Sequence, residues 1–160
     1  MNDTPRHLQA ALGYLTLGMH QDAWDELENL PPELRTDVAV LELRIQIYQL
    51  LGKWEPARIL AESLALKFPE NPIWWIHWAY SLRREKNVRE AQGVLWHAVQ
   101  IHPVFAPIVY NLACYACVLG QMEDARSLLE RAFLLDPNFK ATALDDPDLE
   151  AIFGASEKLD

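Results

Sequence analysis

Cys114 and Cys117 are the only cysteines in the chain, and their CxxC spacing is that of a dithiol redox centre or of half a zinc site. The setting argues against both. Redox pairs lie at a helix N-terminus, where the dipole lowers the thiol pKa, whereas this pair falls mid-helix. Zinc needs about four ligands, and there is no second CxxC and no spaced His pair. His7 and His20 occupy positions that recur further along the chain as Leu41 and Trp75, and as Trp54 and Met122, so they read as packing residues. His97 and His102 are five residues apart and do not share a helix face. The acidic cluster Asp22, Asp25, Glu26 and Glu28 reads as a solvated helix face, and neither a Gly-rich phosphate loop nor a nucleophile elbow is present. No catalytic constellation, cofactor site or metal site can be assembled.

With 160 residues, the chain suffices for one domain or a short repeat array and can bury about 70% of its unfolded surface. Hydrophobic content of 51% with 23% charged residues excludes a disordered chain. A net charge of −9 repels polyanions, which argues against nucleic acid and against an anionic membrane. No apolar run approaches the roughly 20 residues of a membrane helix. The opening residues, Met1 to Arg6, show no export signal, and two cysteines make no disulfide framework, so a cytoplasmic location is the expectation.

The elements that carry these residues announce themselves by repetition. Ala23, Ala57, Ala91 and Ala125 stand 34 residues apart, as do Pro69, Pro103 and Pro137. The same offset relates Gly18, Gly52 and Gly120, with Lys86 in the discrepant slot, and it relates Ala11, Ile45, Ala79 and Ala113. Four ungapped units follow, 4–37, 38–71, 72–105 and 106–139. Within a unit the apolar period is helical: Trp75, Trp78, Ala79 and Leu82 make one stripe, and Ala125, Leu128, Leu129 and Ala132 make the next. Gly in the turn permits a left-handed helix end, the Ala rows permit close helix crossing, and Pro closes the unit.

A 34-residue helical hairpin of this composition resembles the tetratricopeptide repeat. The fourth unit matches best, through Tyr110-Asn111-Leu112-Ala113, Leu119-Gly120, Asp124-Ala125 and Asp136-Pro137-Asn138. The resemblance implies an all-α, right-handed superhelix of four hairpins and a protein-binding role. In the first unit Pro31-Pro32 interrupts the second helix, so a truncated hairpin is expected. In the third turn Asn87 is the candidate for the left-handed position that Lys86 leaves unfilled.

Residues 140–160 do not continue the repeat. Asp146-Pro147 reads as an N-cap before a short helix through Leu149, Ile152 and Phe153. Covering the last apolar face is the preferred role for this tail, because a solenoid needs a cap at each end. Folding back along the groove is the alternative. The tail is also similar to the closing segment of small bacterial tetratricopeptide proteins.

First helices line the concave side of such a superhelix. Opposite their core stripes lie Ala39, Glu42, Gln46, Gln49 and Leu50 in the second unit, Ile73, Ile76, Tyr80, Arg83 and Arg84 in the third, and Pro107, Tyr110, Cys114, Cys117 and Val118 in the fourth. An aromatic and aliphatic patch flanked by two arginines suits a peptide or helix with apolar anchors and a carboxylate. Burial of that patch by curvature or by the tail is the competing reading, and Arg83 and Arg84 also favour the dipole of a helix C-terminus. The chaperone-tail clamp known in the family is not expected, since only Asn111 falls in a matching slot. Trp75, Trp78 and Trp54 read as packing residues, while Trp24, Trp74 and Trp96 fall on outer or seam positions, where contact with a neighbouring hairpin and contact with another molecule are equally open.

The resulting expectation is a non-catalytic adaptor or scaffold that binds a protein or peptide on its concave face. Self-association through outer tryptophans, and a dithiol activity of Cys114 and Cys117, are the alternatives.

Overall fold

The computed structural model describes residues 4–154; the first three residues of the opening segment and the last six of the tail, 155–160, lie outside them. Eight principal helices follow one another without strands among the described residues. They are α1 (Thr4–Thr16), α2 (His20–Glu28), α3 (Val38–Leu50), α4 (Trp54–Lys67), α5 (Pro72–Glu85), α6 (Val88–Ile101), α7 (Ala106–Val118) and α8 (Met122–Leu135). The later first helices begin at 38, 72 and 106, and second helices at 20, 54, 88 and 122, so both series keep a 34-residue step. Each helix packs on its neighbours in sequence, which is the contact pattern of a solenoid.

The sequence features act where their chemistry requires. Ala23, Ala57, Ala91 and Ala125 are wholly buried, as are Ala11, Ala79 and Ala113, so the helices of each hairpin cross on methyl groups. Gly18, Gly52 and Gly120 have φ of 73°, 69° and 74°, the left-handed geometry that lets the chain leave one helix and start the next. The third turn is built differently. Asn87 is extended, at φ −161°, and not left-handed; its side chain caps α6 by accepting from the Glu90 amide at 2.9 Å. Pro69 ends the second hairpin, and its carbonyl accepts from Trp75 Nε1 at 3.1 Å and from His102 Nε2 at 2.8 Å, tying two later helices to one turn.

In the first hairpin α2 stops at Glu28, and Pro32–Leu34 forms a single 3-10 turn. Arginines complete the shortened end: Arg35 donates to the carbonyls of Glu28 at 2.6 Å and Leu30 at 2.8 Å, while Arg44 reaches Glu28 Oε1 at 2.6 Å. Arg44 also lies 4.7 Å over Trp24, which keeps that side chain against the array.

After α8 come α9 (Phe139–Leu144), a 3-10 turn at Pro147–Leu149, and α10 (Glu150–Phe153). α9 lies beside α8, but the 3-10 turn packs on α7, which belongs to the inner wall. Ala143 and Leu149 join the same buried cluster as Trp74, Leu95 and Leu112. The tail thus adds two side chains to the core of the last two hairpins while most of its length stays at the surface.

For Trp74, on an outer or seam position of the helical wheel, contact with a neighbouring hairpin and contact with another molecule are both open from the sequence; it is 1% exposed, which is the first. α5 is packed by α4 on one side and α6 on the other, so its buried arc is wider than a single stripe. Trp96 is exposed.

Candidate functional site

The inner wall is formed by successive first helices, and its two halves differ. Toward the N-terminal end the wall is open. Leu50 is 54% and Tyr80 40% exposed; Ala39 is exposed; Glu42, Gln46, Gln49 and Ile76 are half-buried. Two shallow depressions of about 250 and 260 Å³ lie along this stretch, the first between α1 and α3 over Leu12, Glu42 and Gln46, the second between α3 and α5 over Gln49, Leu50 and Tyr80.

Hydrogen bonds hold this stretch rigid from beneath. Gln49 Nε2 donates to the buried Ser81 hydroxyl at 3.0 Å, and Gln49 Oε1 lies 3.3 Å from His77 Nδ1. Burial lowers the His77 pKa to about 4, so the ring is neutral at physiological pH. Arg58 of α4 pairs with Glu85 of α5 and, at 2.7 Å, with Glu62, which fixes the angle between the second and third hairpins. At the mouth, Trp54 meets Tyr80 edge-on at 5.8 Å, and the guanidinium of Arg84 lies 4.7 Å over the Trp54 ring. Trp54 is absent from the sequence-derived stripe because it opens a second helix; its contact with Tyr80 arises only when hairpins stack.

Toward the C-terminal end the chain covers its own wall. Tyr110, Cys114 and Cys117, expected to face solvent, are buried. The cover is the segment Asp146–Leu149. Tyr110 Oη donates to Asp146 Oδ2 at 2.8 Å, Cys114 Sγ–H donates to the same oxygen at 3.6 Å, and the Tyr110 ring stacks on Phe139 at 4.4 Å. Asp146 Oδ1 meanwhile accepts from the Asp148 amide at 3.0 Å, capping the 3-10 turn. Arg83 is no free cation: it holds both carboxylate oxygens of Asp148, at 2.5 and 2.7 Å, and lies 5.1 Å over Tyr115. A stripe read on one helix does not say whether a segment from 30 residues away reaches it; of the two readings, the open wall and burial by the tail, the second holds here.

The cysteines are free and buried. Burial, then the nearby Asp146 carboxylate, pushes the Cys114 thiol far above its ordinary value, and burial also raises Cys117. Both are therefore protonated, the opposite of what a nucleophilic dithiol needs. Burial, with the hydrogen bond to Asp146, likewise raises the Tyr110 phenol. Cys114, Asp146 and Asp148 bring three potential ligand atoms within 4.8 Å of one another. Those carboxylates are already engaged by Tyr110, Cys114 and Arg83, so the trio is an internal hydrogen-bond cluster.

Among solved structures, the crystal structure of a thermophilic tetratricopeptide-repeat protein from Thermus thermophilus superposes on this arrangement with a TM-score of 0.76, covering 96% of this chain and 84% of that one, at 19% identity. The chain has the tetratricopeptide-repeat fold. No protein-family model matches the sequence, and no curated protein does. At 19% identity the likeness carries the fold alone. No helix among the described residues is long and apolar enough to cross a membrane.

Proposed function

We propose that the chain is a non-catalytic protein-recognition module whose open wall, from α3 to α5, binds a helix or extended peptide of a partner protein. One observation carries this reading: Leu50 and Tyr80 stay exposed on the concave side while the same face of α7 is covered by the chain itself. Apolar side chains on a rigid, concave, solvent-facing surface suit a partner's apolar anchors. Half-buried Glu42 and Gln46 supply hydrogen bonds, Gln49 being engaged by Ser81 and His77, and the exposed Arg84 at the mouth offers a fork for a carboxylate. The net charge of −9 favours a protein partner over nucleic acid or an anionic membrane, and a cytoplasmic setting fits a chain whose two cysteines make no disulfide framework. Affinity capture with the unaltered chain and with a Leu50→Glu/Tyr80→Ala variant tests the proposal. A partner retained by the first and lost by the second, with the melting curve preserved, supports it; equal retention refutes it.

A second reading, self-association, has its own observation. Leu134 is 85% exposed beside the half-buried Phe133, in a depression also lined by Glu130 and Lys140 at the end of the array. Sedimentation across a hundredfold concentration range decides this: a dimer dispersed by Leu134→Asp supports self-association through the end face, and a constant monomer excludes it. Trp74, being buried, has no part in such a contact.

A further inference from the structure

The segment Asp146-Pro147-Asp148-Leu149 makes contacts of the kind a bound peptide makes. Its leucine is wholly buried, which is an apolar anchor in a pocket. Its second aspartate is held by Arg83 through two parallel hydrogen bonds, and its first is read by Tyr110 and Cys114. Proline between them presets the backbone of the 3-10 turn, so little conformational entropy is lost on docking. The receptor side is formed by two different hairpins, α5 and α7, and the occupant arrives from outside both.

Beside the occupant the wall is not full. An open cleft of about 710 Å³ borders Asp146, Pro147 and Asp148 and is lined on its far side by Tyr80, Arg84 and Lys86. Arg84 and Lys86 are exposed, and neither makes an ion pair among the described residues. The cleft therefore joins cationic surface to the groups that already grip two carboxylates.

We propose that the inner wall of α5 and α7 is an acidic-peptide site held shut by the chain's own Asp146–Leu149, and that its ligand is a partner segment with two carboxylates one residue apart followed by an apolar anchor. The internal segment is a competitor in cis. It lowers the apparent affinity for such a peptide by the fraction of molecules in which the wall is uncovered. The covered half of the wall shares Tyr80 and Arg84 with the open half at the cleft, but its grip on the segment is made by Arg83 and Tyr110, which the open half does not use.

The test uses the full chain and a fluorescent peptide of residues 143–154 as probe, followed by anisotropy. The unaltered chain should bind the peptide at least tenfold more weakly than an Asp146→Ala/Asp148→Ala chain, whose own segment is disarmed. Adding Arg83→Gln to the disarmed chain, or replacing both aspartates of the probe by asparagine, should remove that binding. Equal affinity of the two chains, or none for the disarmed chain, overturns the proposal. Should the disarmed chain unfold, hydrogen exchange of the unaltered chain decides: the hydrogen-bonded amides of Leu149, Glu150 and Gly154 exchanging at least tenfold faster than those of 110–117 show a segment that opens by itself, whereas equal rates make it an inseparable part of the core and overturn the proposal.

Discussion

Arg83 in α5 and Asp148 in the C-terminal turn, 65 residues apart in sequence, meet fork to fork at 2.5 and 2.7 Å. Each side chain is about one-quarter exposed, 23% and 24%, so the pair is neither a loose surface bridge nor a fully desolvated one. It joins the third hairpin to a tail whose nearest packed helix is in the fourth. Hydrogen bonding to Asp148 raises the Arg83 pKa further, so the guanidinium is charged at every accessible pH.

Asp148→Asn should lower unfolding stability by about 1–2 kcal/mol in urea titrations, since a half-buried guanidinium loses its charged partner. Arg83→Gln should cost a similar amount, and the double variant less than the sum of the two. Additive losses would mean that the two side chains are not coupled.

Leu149→Ala deletes a wholly buried side chain at the centre of the cover and should cost about 2–4 kcal/mol. The same change should speed reaction of Cys114 and Cys117 with a thiol reagent, because the segment screens both. Unchanged thiol reactivity alongside lost stability would show that the sulfurs are shielded by something other than the tail.

His77 gives the stability a pH dependence. Its pKa is about 4 when folded and 6.5 in the ordinary state, so between those values the unfolded chain binds more protons. Its contribution is complete above about pH 6.5 and is lost as the pH falls through 4, a change of at most about 3 kcal/mol. Denaturant midpoints at pH 7.5 and pH 5 should therefore differ more for the unaltered chain than for His77→Gln. Equal differences would place the acid sensitivity elsewhere.

Lys86 stands where three other turns carry glycine, which invites a stabilising Lys86→Gly change. The opposite is expected. Its φ is −122°, a value any residue adopts, so glycine adds only unfolded-state entropy and should cost about 0.5–1 kcal/mol. Gly120→Ala should cost at least about 1 kcal/mol, because φ there is +74°. Thermal melts of the two variants check both signs.

The stacked architecture is legible in the amino-acid order alone, and the reason is locality. Helix stripes, glycine turns and prolines act within a hairpin, and the alanine rows act between adjacent helices, so a 34-residue period is enough to show a succession of helical hairpins. The same period marks Leu50 and Tyr80 as exposed inner-wall residues, because nothing distant competes for them. The fate of Tyr110, Cys114, Cys117 and Arg83, and the burial of Trp74, emerge only once the chain is folded. A helical wheel shows which side chains share a face, but the burial of that face depends on which other segments reach it. For α5 these are helices on both sides and an aspartate 65 residues onward, and for α7 a turn that carries its own leucine and carboxylates into the groove. Such contacts follow no repeat, since the tail occurs once and its destination is set by the shape and charge of the assembled wall.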